Sequence, residues 1–423
     1  MKAITSSRTS RLLKNKNALI AAVVAAAVFV IGYILFSTYA AGPFAALEGE
    51  DATLSPNASL VDDPLASGGQ AIQFAGGSTE PPSTEAPTLQ TTEVATGLGK
   101  LWDIAFTPDG SMLVAHYDGR MSFAEPGGSP QEFFTVSDVR AQGEGGLLGM
   151  TVDSQFATNR HVYACYASQS NDVRVVRWVL AADNSTLESA TPIITGIDYN
   201  QSGRHSGCRV RMDKSNVLWV GTGDAAIEST PQDPQSLAGK ILRVNRDGTA
   251  ASGNLSAPFD DRIYSYGHRN TQGIALYDTP LNGSAGFSVE HGSDEDDEVN
   301  RLVPGNFGWN PGPGYDENVP MTDTGEYPDA VEAAWSSGAP TIAPSGATLL
   351  TGTQWKGWNG RLAVAVLKEQ HLMIQQYNQD GQLQGSERFL QDDYGRIRSA
   401  VQGTDGNLYL ATDSGAIVRV TPQ

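Results

Sequence analysis

Three regimes of hydrophobic and polar positions follow one another along the chain. Residues 18–39, ALIAAVVAAAVFVIGYILFSTY, hold no charge. Wound as a helix they would reach about 33 Å, enough to cross a hydrocarbon layer of ~30 Å. Residues 41–94 show no sustained period. From about Ala95 to the end, short alternating apolar runs are punctuated by turn residues, which predicts β-strands. WDIAFTPDGSMLVAHYDGRMSF reads as three strands joined by two turns. GLLGMTVDSQFATNRHVYACYAS with VRVVRWVL makes a second unit, and CRVRMDKSNVLWVGTGD with KILRVNRDG a third. QGIALYDTPLNGSAGFSVEHG, ATLLTGTQWKGWNGRLAVAVLKEQHLMIQQY and AVQGTDGNLYLATDSGAIVRVTP make three more. DGNLYL in the last unit echoes DGSMLV in the first and SNVLWV in the third. Repeated units of short antiparallel strands predict an all-β, six-bladed β-propeller. Six units in 95–423 average about 55 residues, above the ~40–50 of compact repeats. The excess is expected in loops on one face, the longest at 223–239, 244–262 and 306–338. No convincing helical period appears beyond 18–39.

The expected order is a basic tail at 1–17, a transmembrane signal anchor at 18–40, a spacer at 41–94 and the propeller at 95–423. Lys2, Arg8, Arg11, Lys14 and Lys16 precede the apolar run, so the tail is expected in the cytoplasm and the propeller outside it, tethered to the cell membrane. The run exceeds the 7–15 residues of a cleaved signal, which favours an uncleaved anchor; Thr38-Tyr39-Ala40 leaves cleavage and a secreted form open. LEGEDATLSPNASLVDDPLASGGQAIQF resembles the opening strands of an extracellular carbohydrate-binding module but is too short for a whole sandwich. A partly ordered spacer is the favoured reading. GGSTEPPSTEAPTLQTTE then reads as a Pro/Ser/Thr-rich stalk.

Charge sharpens this picture. The chain of 423 residues has 28 Lys and Arg against 47 Asp and Glu, a net of −19. With the five basic residues of the tail set aside, the remainder carries 23 basic against 47 acidic side chains. Such a surface repels phosphate backbones, so no nucleic-acid partner is expected. Cys165 and Cys208 are the two cysteines, and no Cys/His spacing resembles a zinc site. They form either one disulfide or two buried thiols.

Candidate chemistry concentrates between Ile263 and Trp309, in IYSYGHRNTQG, VEHGSDEDDEVN and GNFGW. The acidic run Asp294 to Glu298 lies beside a glycine. It suits either a hard cation held partly by carbonyls or a solvated acidic loop. His205, in GRHSGCRV just before a strand, reads as a general base near neutral pH or as a polar loop histidine. His268 and His291 are comparable candidates, while His116, His161 and His371 fall inside strand patterns and read as structural. Arg269 and Asn270 lie between Gly267 and Gly273. Arg396 and Arg398, two apart on a strand, face one side. Two guanidiniums held together call for local carboxylates or for a polycarboxylate ligand. Lys368 ends the apolar run AVAVLK.

In this order the chain resembles the PQQ-dependent sugar dehydrogenases, the soluble glucose, sorbosone and aldose sugar dehydrogenase family. The resemblance covers roughly 95–423. It rests on LWDIAFTPDGSMLV, GEGGLLGMTVDSQFATNRHVY, HSGCRVRM, VGTGDA, SLAGKILRVNRDG, IYSYGHRNTQG, EHGSDEDDEVN, GNFGW, PTIAPSG and GRIRSAV. It implies a six-bladed propeller binding calcium and PQQ, a quinone with three carboxylates. Arg269, Lys368, Arg396 and Arg398 match the family's cationic PQQ contacts, and Asn270 and Thr341 its neutral ones. Calcium would take the backbone carbonyls of Gly292 and Ser293, with Asp297 and Glu298 supporting the turn. His205 matches the base that takes the anomeric proton of an aldose while hydride passes to the quinone. Calcium and Arg269 would stabilise the charge on the quinone oxygen. The implied product is a lactone, and the electrons go on to an external acceptor.

Three positions depart from the family pattern. Arg204 stands where relatives often have Asp or Asn, at a position that faces the sugar substrate. Glu144 replaces the glutamine before GGLLG and sets an acid near an anionic cofactor, with Gln142 close by. Cys208 stands where a small residue is usual. Two other readings stay open: a non-catalytic extracellular propeller that binds a glycan or a protein partner, and a calcium-dependent lactone hydrolase on a similar propeller, which would not need the clustered cations.

Overall fold

Each of the six alternating units folds into an antiparallel sheet, seen in a computed structural model that describes the backbone of 58–62 and 70–74 and residues 85–423 in full. Blade 1 runs Leu101–Phe106, Met112–His116, Arg120–Ala124 and Gln131–Thr135. Blade 2 is Leu147–Val152, His161–Ala167, Val173–Leu180 and Leu187–Ile197. Blade 3 is Gly207–Met212, Leu218–Thr222, Lys240–Val244 and Ile263–Tyr266, extended in parallel by Gly305–Asn306. Blade 4 is Thr271–Leu281, Ser284–Glu290, Glu298–Arg301 and Trp335–Ser336. Blade 5 is Pro344–Leu349, Leu362–Val366, His371–Tyr377 and Leu383–Phe389. Blade 6 is Ile397–Gln402, Leu408–Thr412, Ile417–Pro422 and Leu89–Ala95. The first strand of each blade touches the first strand of the next, and that of blade 6 returns to blade 1.

The last pairing corrects the expected domain limit. Sequence reading leaves Leu89 to Val94 in the spacer, whereas Leu89–Ala95 pairs antiparallel with Ile417–Pro422 and closes the ring. This strand lies on the outer edge, where much of each side faces water, so its LQTTEVA pattern is mostly polar and gives little signal. The chain divides into two compact units, Met1–Pro81 and Pro82–Gln423. Within the first, Ala58–Asp62 pairs antiparallel with Gln70–Phe74, so the expected spacer holds a short ladder. The proposed anchor at 18–40 and the basic tail lie outside the described residues. Among the described residues no helix is long and apolar enough to cross a membrane.

Why the repeats are legible follows from burial. Second strands such as Met112–His116, Leu218–Thr222, Leu362–Val366 and Leu408–Thr412 are buried at every position, because a neighbouring blade covers each face. Their turns end on Gly110, Asn216 and Gly406, all with positive φ, which explains the echoed DG and SN before each apolar run. The core is a set of inter-blade seams. Trp178 and Met150 pack between blades 1 and 2, Phe287 and Val364 between 4 and 5, and Trp355 and Leu410 between 5 and 6. Cys165 of blade 2 and Cys208 of blade 3 form a disulfide across one such seam, with Cα atoms 5.9 Å apart.

At the axis the blades meet on charge rather than on apolar contact. Asp103 of blade 1 is fully buried and lies 2.8 Å from Arg209 Nη1 and 2.7 Å from Arg211 Nη1 of blade 3. It also accepts the Met150 N–H of blade 2 at 3.0 Å and the Ser399 hydroxyl of blade 6 at 2.7 Å. Arg209 in turn donates from Nε to the Gln272 carbonyl of blade 4 at 2.8 Å. Blade 5 comes so close that a Cβ on Gly346 would stand 3.1 Å from Arg209 Nη2. Burial alone would raise the Asp103 pKa, but the two guanidiniums hold it well below the usual carboxylate range. Burial pulls Arg209 down to about 10, which leaves it charged at neutral pH.

Asp103→Asn should therefore strand a buried guanidinium and destabilise the propeller by about 3–5 kcal/mol, read as a lower urea midpoint at pH 7. A depressed carboxyl contributes above its unfolded pKa of ~3.9 and loses that contribution as pH falls toward its folded value. The gap between wild type and variant should thus narrow below about pH 4. Equal midpoints at pH 7 would show that the ring does not need this pair.

Candidate active site

In an antiparallel pair, the start of the first strand and the end of the second lie at the same end. Glu144, His205, Arg269, Asn270, Thr341 and Arg396 precede first strands, and Arg398 is the second residue of one. Gly292, Ser293 and Lys368 follow second strands. The ring therefore carries all of these sequence candidates to one face, although they span most of the propeller sequence. Arg396 lies just before Ile397–Gln402 rather than on it; both arginines still converge, because both bind Asp413.

His205 sits on a loop that its neighbours fix. A Cβ on Gly203 would lie 1.9 Å from the Gln142 carbonyl oxygen, one on Gly207 2.3 Å from the Gly223 nitrogen, and one on Gly223 1.9 Å from the His205 carbonyl oxygen. Only glycine permits those approaches. His205 itself has φ 51°, an unfavourable conformation that this close packing enforces. Its side chain is 4% exposed, and Nδ1 is 2.8 Å from Asp224 Oδ1. Asp224 is fully buried and saturated: Ala226 N–H donates to Oδ1, while Trp309 Nε1 and the Tyr315 hydroxyl each donate to Oδ2 at 2.8 Å. The carboxylate accepts the Nδ1 proton, which leaves Nε2, with no hydrogen bond among the described residues, as the basic nitrogen. Burial, then the charge of Asp224, raises the Tyr315 pKa, so that hydroxyl stays protonated.

Arg269 is 5% exposed. Nη1 donates to the His291 carbonyl at 3.0 Å, and Nη2 to Glu317 Oε1 at 2.6 Å. The same Glu317 oxygen accepts from Arg204 Nη2 at 2.9 Å. Arg204, proposed from the sequence to face the substrate, is thus held over this mouth by a carboxylate from the long 306–338 insertion. Tyr315 comes from the same insertion. Asn270 donates to Glu144 Oε2 at 2.8 Å and accepts from Gln272 at 3.0 Å. Lys368 donates to the Thr341 hydroxyl at 3.2 Å.

Beside this group lies a cavity of about 440 Å³, lined by Lys100, Trp102, Glu144, His291, Arg396 and Arg398 among others. Arg398 stacks 4.2 Å over the Trp102 ring and grips Asp413 with two hydrogen bonds of 3.0 Å. Burial would raise the Asp413 pKa, but Arg398 and then Arg396 keep it low and ionised. Three buried polar atoms around the mouth have no hydrogen-bond partner among the described residues: His291 Nε2, Gln272 Oε1 and Arg269 Nε. A cavity with cationic walls and unsatisfied polar atoms fits an anionic, multiply hydrogen-bonding ligand.

The acidic run is not a carboxylate cage. Among the described residues no three His, Cys, Asp or Glu side chains cluster to hold a metal. Asp297 spends one oxygen on the Gly292 N–H, at 2.9 Å, and the other on the N–H groups of Ile342 and Ala343. It therefore braces the Gly292–Ser293 turn, and any hard cation there would have to be held by backbone carbonyls. Behind it, Glu290 and Glu298 are both buried and share the Asn300 amide, at 2.7 and 3.0 Å. Burial, then the Glu290 charge, raises the Glu298 pKa to about 8. Burial also opposes ionisation of Glu290, but the His268 charge together with hydrogen bonds from His268, the Arg269 N–H and Asn300 lowers its pKa.

Sequence reasoning misplaced one histidine and missed four residues. His268 is fully buried between Ser265 and Glu290 and stacks on Phe307 at 4.4 Å, so it is structural. Asp224, Tyr315, Glu317 and Lys100 were not singled out. Asp224 stood within VGTGDA, and Tyr315 and Glu317 within an insertion expected on one face; Lys100 gave no signal beyond its place before LWDIAF.

Comparison with known proteins places this architecture. The glucose/sorbosone dehydrogenase family model matches residues 98–419. An uncharacterized protein of Synechocystis sp. is 30% identical over 391 residues, covering 84% of this chain and 92% of its own. The aldose sugar dehydrogenase YliI of Escherichia coli is 29% identical over 340 residues, covering 76% and 90%. Among solved structures, the PQQ-bound form of aldose sugar dehydrogenase from Streptomyces coelicolor superposes with a TM-score of 0.68 at 27% identity, covering 81% of this chain and 100% of that one.

A carboxyl whose folded pKa is raised contributes stability that is fully present below its unfolded value and is lost as pH rises through the folded one. Glu298 should therefore cost the wild type stability between about pH 4.5 and 8. Glu298→Gln, which mimics the protonated form, should lose less. Thermal midpoints of both proteins from pH 5 to 9 check this; parallel curves would show that Glu298 is ionised in the fold.

Proposed function

The chain belongs to the glucose/sorbosone dehydrogenase family, and from that premise we propose that it is a PQQ- and calcium-dependent enzyme that oxidises an aldose at its anomeric carbon to a lactone. The family's activity is oxidoreduction of sugars with PQQ. The observation that supports the finer reading is the His205–Asp224 pair, which leaves Nε2 without a hydrogen bond among the described residues and lies beside Arg269, whose carbonyl accepts the Asp224 N–H at 2.8 Å. When bound, PQQ supplies the two-electron acceptor. Arg269, Lys368, Arg396 and Arg398 would hold its anionic groups, with Asn270 and Thr341 as neutral partners and Glu144 on the same wall. The carbonyls of Gly292 and Ser293 would hold calcium, a donor type that suits a hard cation.

The chain's own part in the reaction is proton handling and electrostatics. His205 Nε2 takes the proton of the anomeric hydroxyl. Asp224 holds the imidazole in the required tautomer and balances the positive charge it acquires. Trp309 and Tyr315 fix Asp224 Oδ2 and the Ala226 N–H fixes Oδ1 by hydrogen bonding, so little reorganisation is needed when that charge appears. Arg269 contributes positive potential at the mouth, and Arg204 lies where the sugar enters. The propeller is proposed to work outside the cytoplasm, tethered to the membrane by 18–40 and delivering electrons to an external acceptor.

Full-length protein given PQQ and calcium should bleach oxidised PQQ when titrated with an aldose. PQQ binding without bleaching would favour a non-catalytic propeller, and no binding by folded protein would end the reading. His205→Ala should keep PQQ and lose turnover; loss of the cofactor in that variant would argue against the base role. Asp224→Asn should lower kcat by about 10²–10⁴ while PQQ affinity changes little, as expected when a base loses its orienting carboxylate. An unchanged kcat would remove Asp224 from the mechanism.

A further inference from the structure

Lys100 precedes the innermost strand of blade 1 and lines the cavity beside the mouth. Its ammonium stands 4.0 Å from the Tyr117 ring centroid and 5.2 Å from that of Trp102. The ammonium itself makes no hydrogen bond or ion pair among the described residues; the backbone carbonyl of Lys100 accepts the Tyr117 N–H at 2.9 Å. The other lining cations are already committed, since Arg396 and Arg398 both bind Asp413. Glu144 adds a second acid to the wall and is tied by one oxygen to Asn270. Without Lys100 the two guanidiniums of this wall would face two carboxylates, and an incoming anion would meet no net positive charge. With Lys100 the wall is net positive.

Aromatic faces hold an ammonium without neutralising it and keep part of its water away. A cation in that condition gains most from a carboxylate that reaches it, because the charges meet in a poorly solvated place. Its pKa is already lowered, by burial first and then by Arg398, a sign that the positive charge lacks a full counter-charge.

We propose that Lys100 is an anion-binding residue of this cavity, which takes a carboxylate of the cofactor and offsets the acid that Glu144 brings to the same wall. This rests on the PQQ reading above. A residue that only braced Tyr117 and Trp102 would have no effect on anion affinity beyond its effect on the fold.

The test measures PQQ binding by fluorescence quenching in calcium-loaded full-length protein, for wild type, Lys100→Gln, Lys100→Arg, Glu144→Gln and the Lys100→Gln/Glu144→Gln pair. Lys100→Gln should weaken PQQ by about tenfold or more at low salt, the scale of one charge-assisted bond. Lys100→Arg should restore most of that loss, and the gap should shrink in high salt through screening. Glu144→Gln should tighten PQQ, and by more when Lys100 is already Gln, since the two side chains oppose each other. In unmutated protein, PQQ should shield Lys100 from an amine-modifying reagent, read by mass spectrometry, which keeps the test independent of how any variant folds. Equal PQQ affinity in wild type and Lys100→Gln, or undiminished labelling of Lys100 with PQQ bound, would overturn the proposal while leaving the cofactor reading intact. Failure of wild type to bind PQQ at all would overturn both.

Discussion

Asp103 lies at the propeller axis, out of reach of water, with donors from three other blades directed at it. An isolated carboxylate there would be untenable, and so would Arg209 alone; Arg209 at 2.8 Å and Arg211 at 2.7 Å make the carboxylate tolerable, and Asp103 does the same for the buried Arg209. That mutual dependence fixes how the innermost strands stand against one another, which apolar seams between blades do less sharply, being non-directional. The consequence reaches the mouth through alternation along the strands. Arg398 turns to the cavity wall while its neighbour Ser399 turns to Asp103. Arg209 follows His205 by four residues, and Gln272, whose carbonyl receives Arg209, follows Asn270 by two. The residues proposed to act are thus spaced by the same strands that the central ion pair aligns.

The fold was legible where both faces of a strand are buried and where a turn demands a special backbone. Second strands sandwiched between blades give uninterrupted apolar runs, and positive-φ turns give Asp-Gly or Ser-Asn before them, so six units could be counted from sequence. The closing strand was not legible, because an outer edge carries little apolar demand and its partner lies at the far end of the chain. The site was legible as motifs at strand ends, but not as contacts. Asp224 is nineteen residues from His205 and Tyr315 is one hundred and ten, and no local pattern announces that a ring will bring them within 2.8 Å. His268 failed in the opposite sense: its neighbours in sequence suggested a site, while Glu290 and Phe307 fix it inside the wall.

Placement of His205 costs backbone strain, and the surroundings supply the restraint. Its φ is 51° and that of Cys208 is 70°, in a stretch of only four residues that also contains Gly207 at 56°. Such a loop would relax if it were free. It is held by three glycine approaches to neighbouring backbone, by the Asp224 carboxylate, and by a disulfide that ties Cys208 to blade 2. The cysteine that departs from the family pattern therefore acts on the same loop as the proposed base, through the covalent frame and not through chemistry at the mouth.

The mouth also shows how an acidic protein can present a site for an anion. Its arginines are not bare: Arg396 and Arg398 share Asp413, and Arg204 and Arg269 share Glu317. Uncompensated guanidiniums held this close would repel one another and, where buried, lack solvation, so each pair carries its own carboxylate. An anion that approaches such a pair gains attraction to the cations and also meets repulsion from the acid already between them. Net attraction then depends on positive charge without a resident partner. Glu317, on a long loop and only partly buried, is the carboxylate best placed to move aside, whereas Asp413 is more deeply enclosed. Lys100 needs no such rearrangement, because aromatic rings and not an acid occupy its faces. The electrostatic pull of the cavity is therefore set less by how many cations line it than by how few of them are already neutralised.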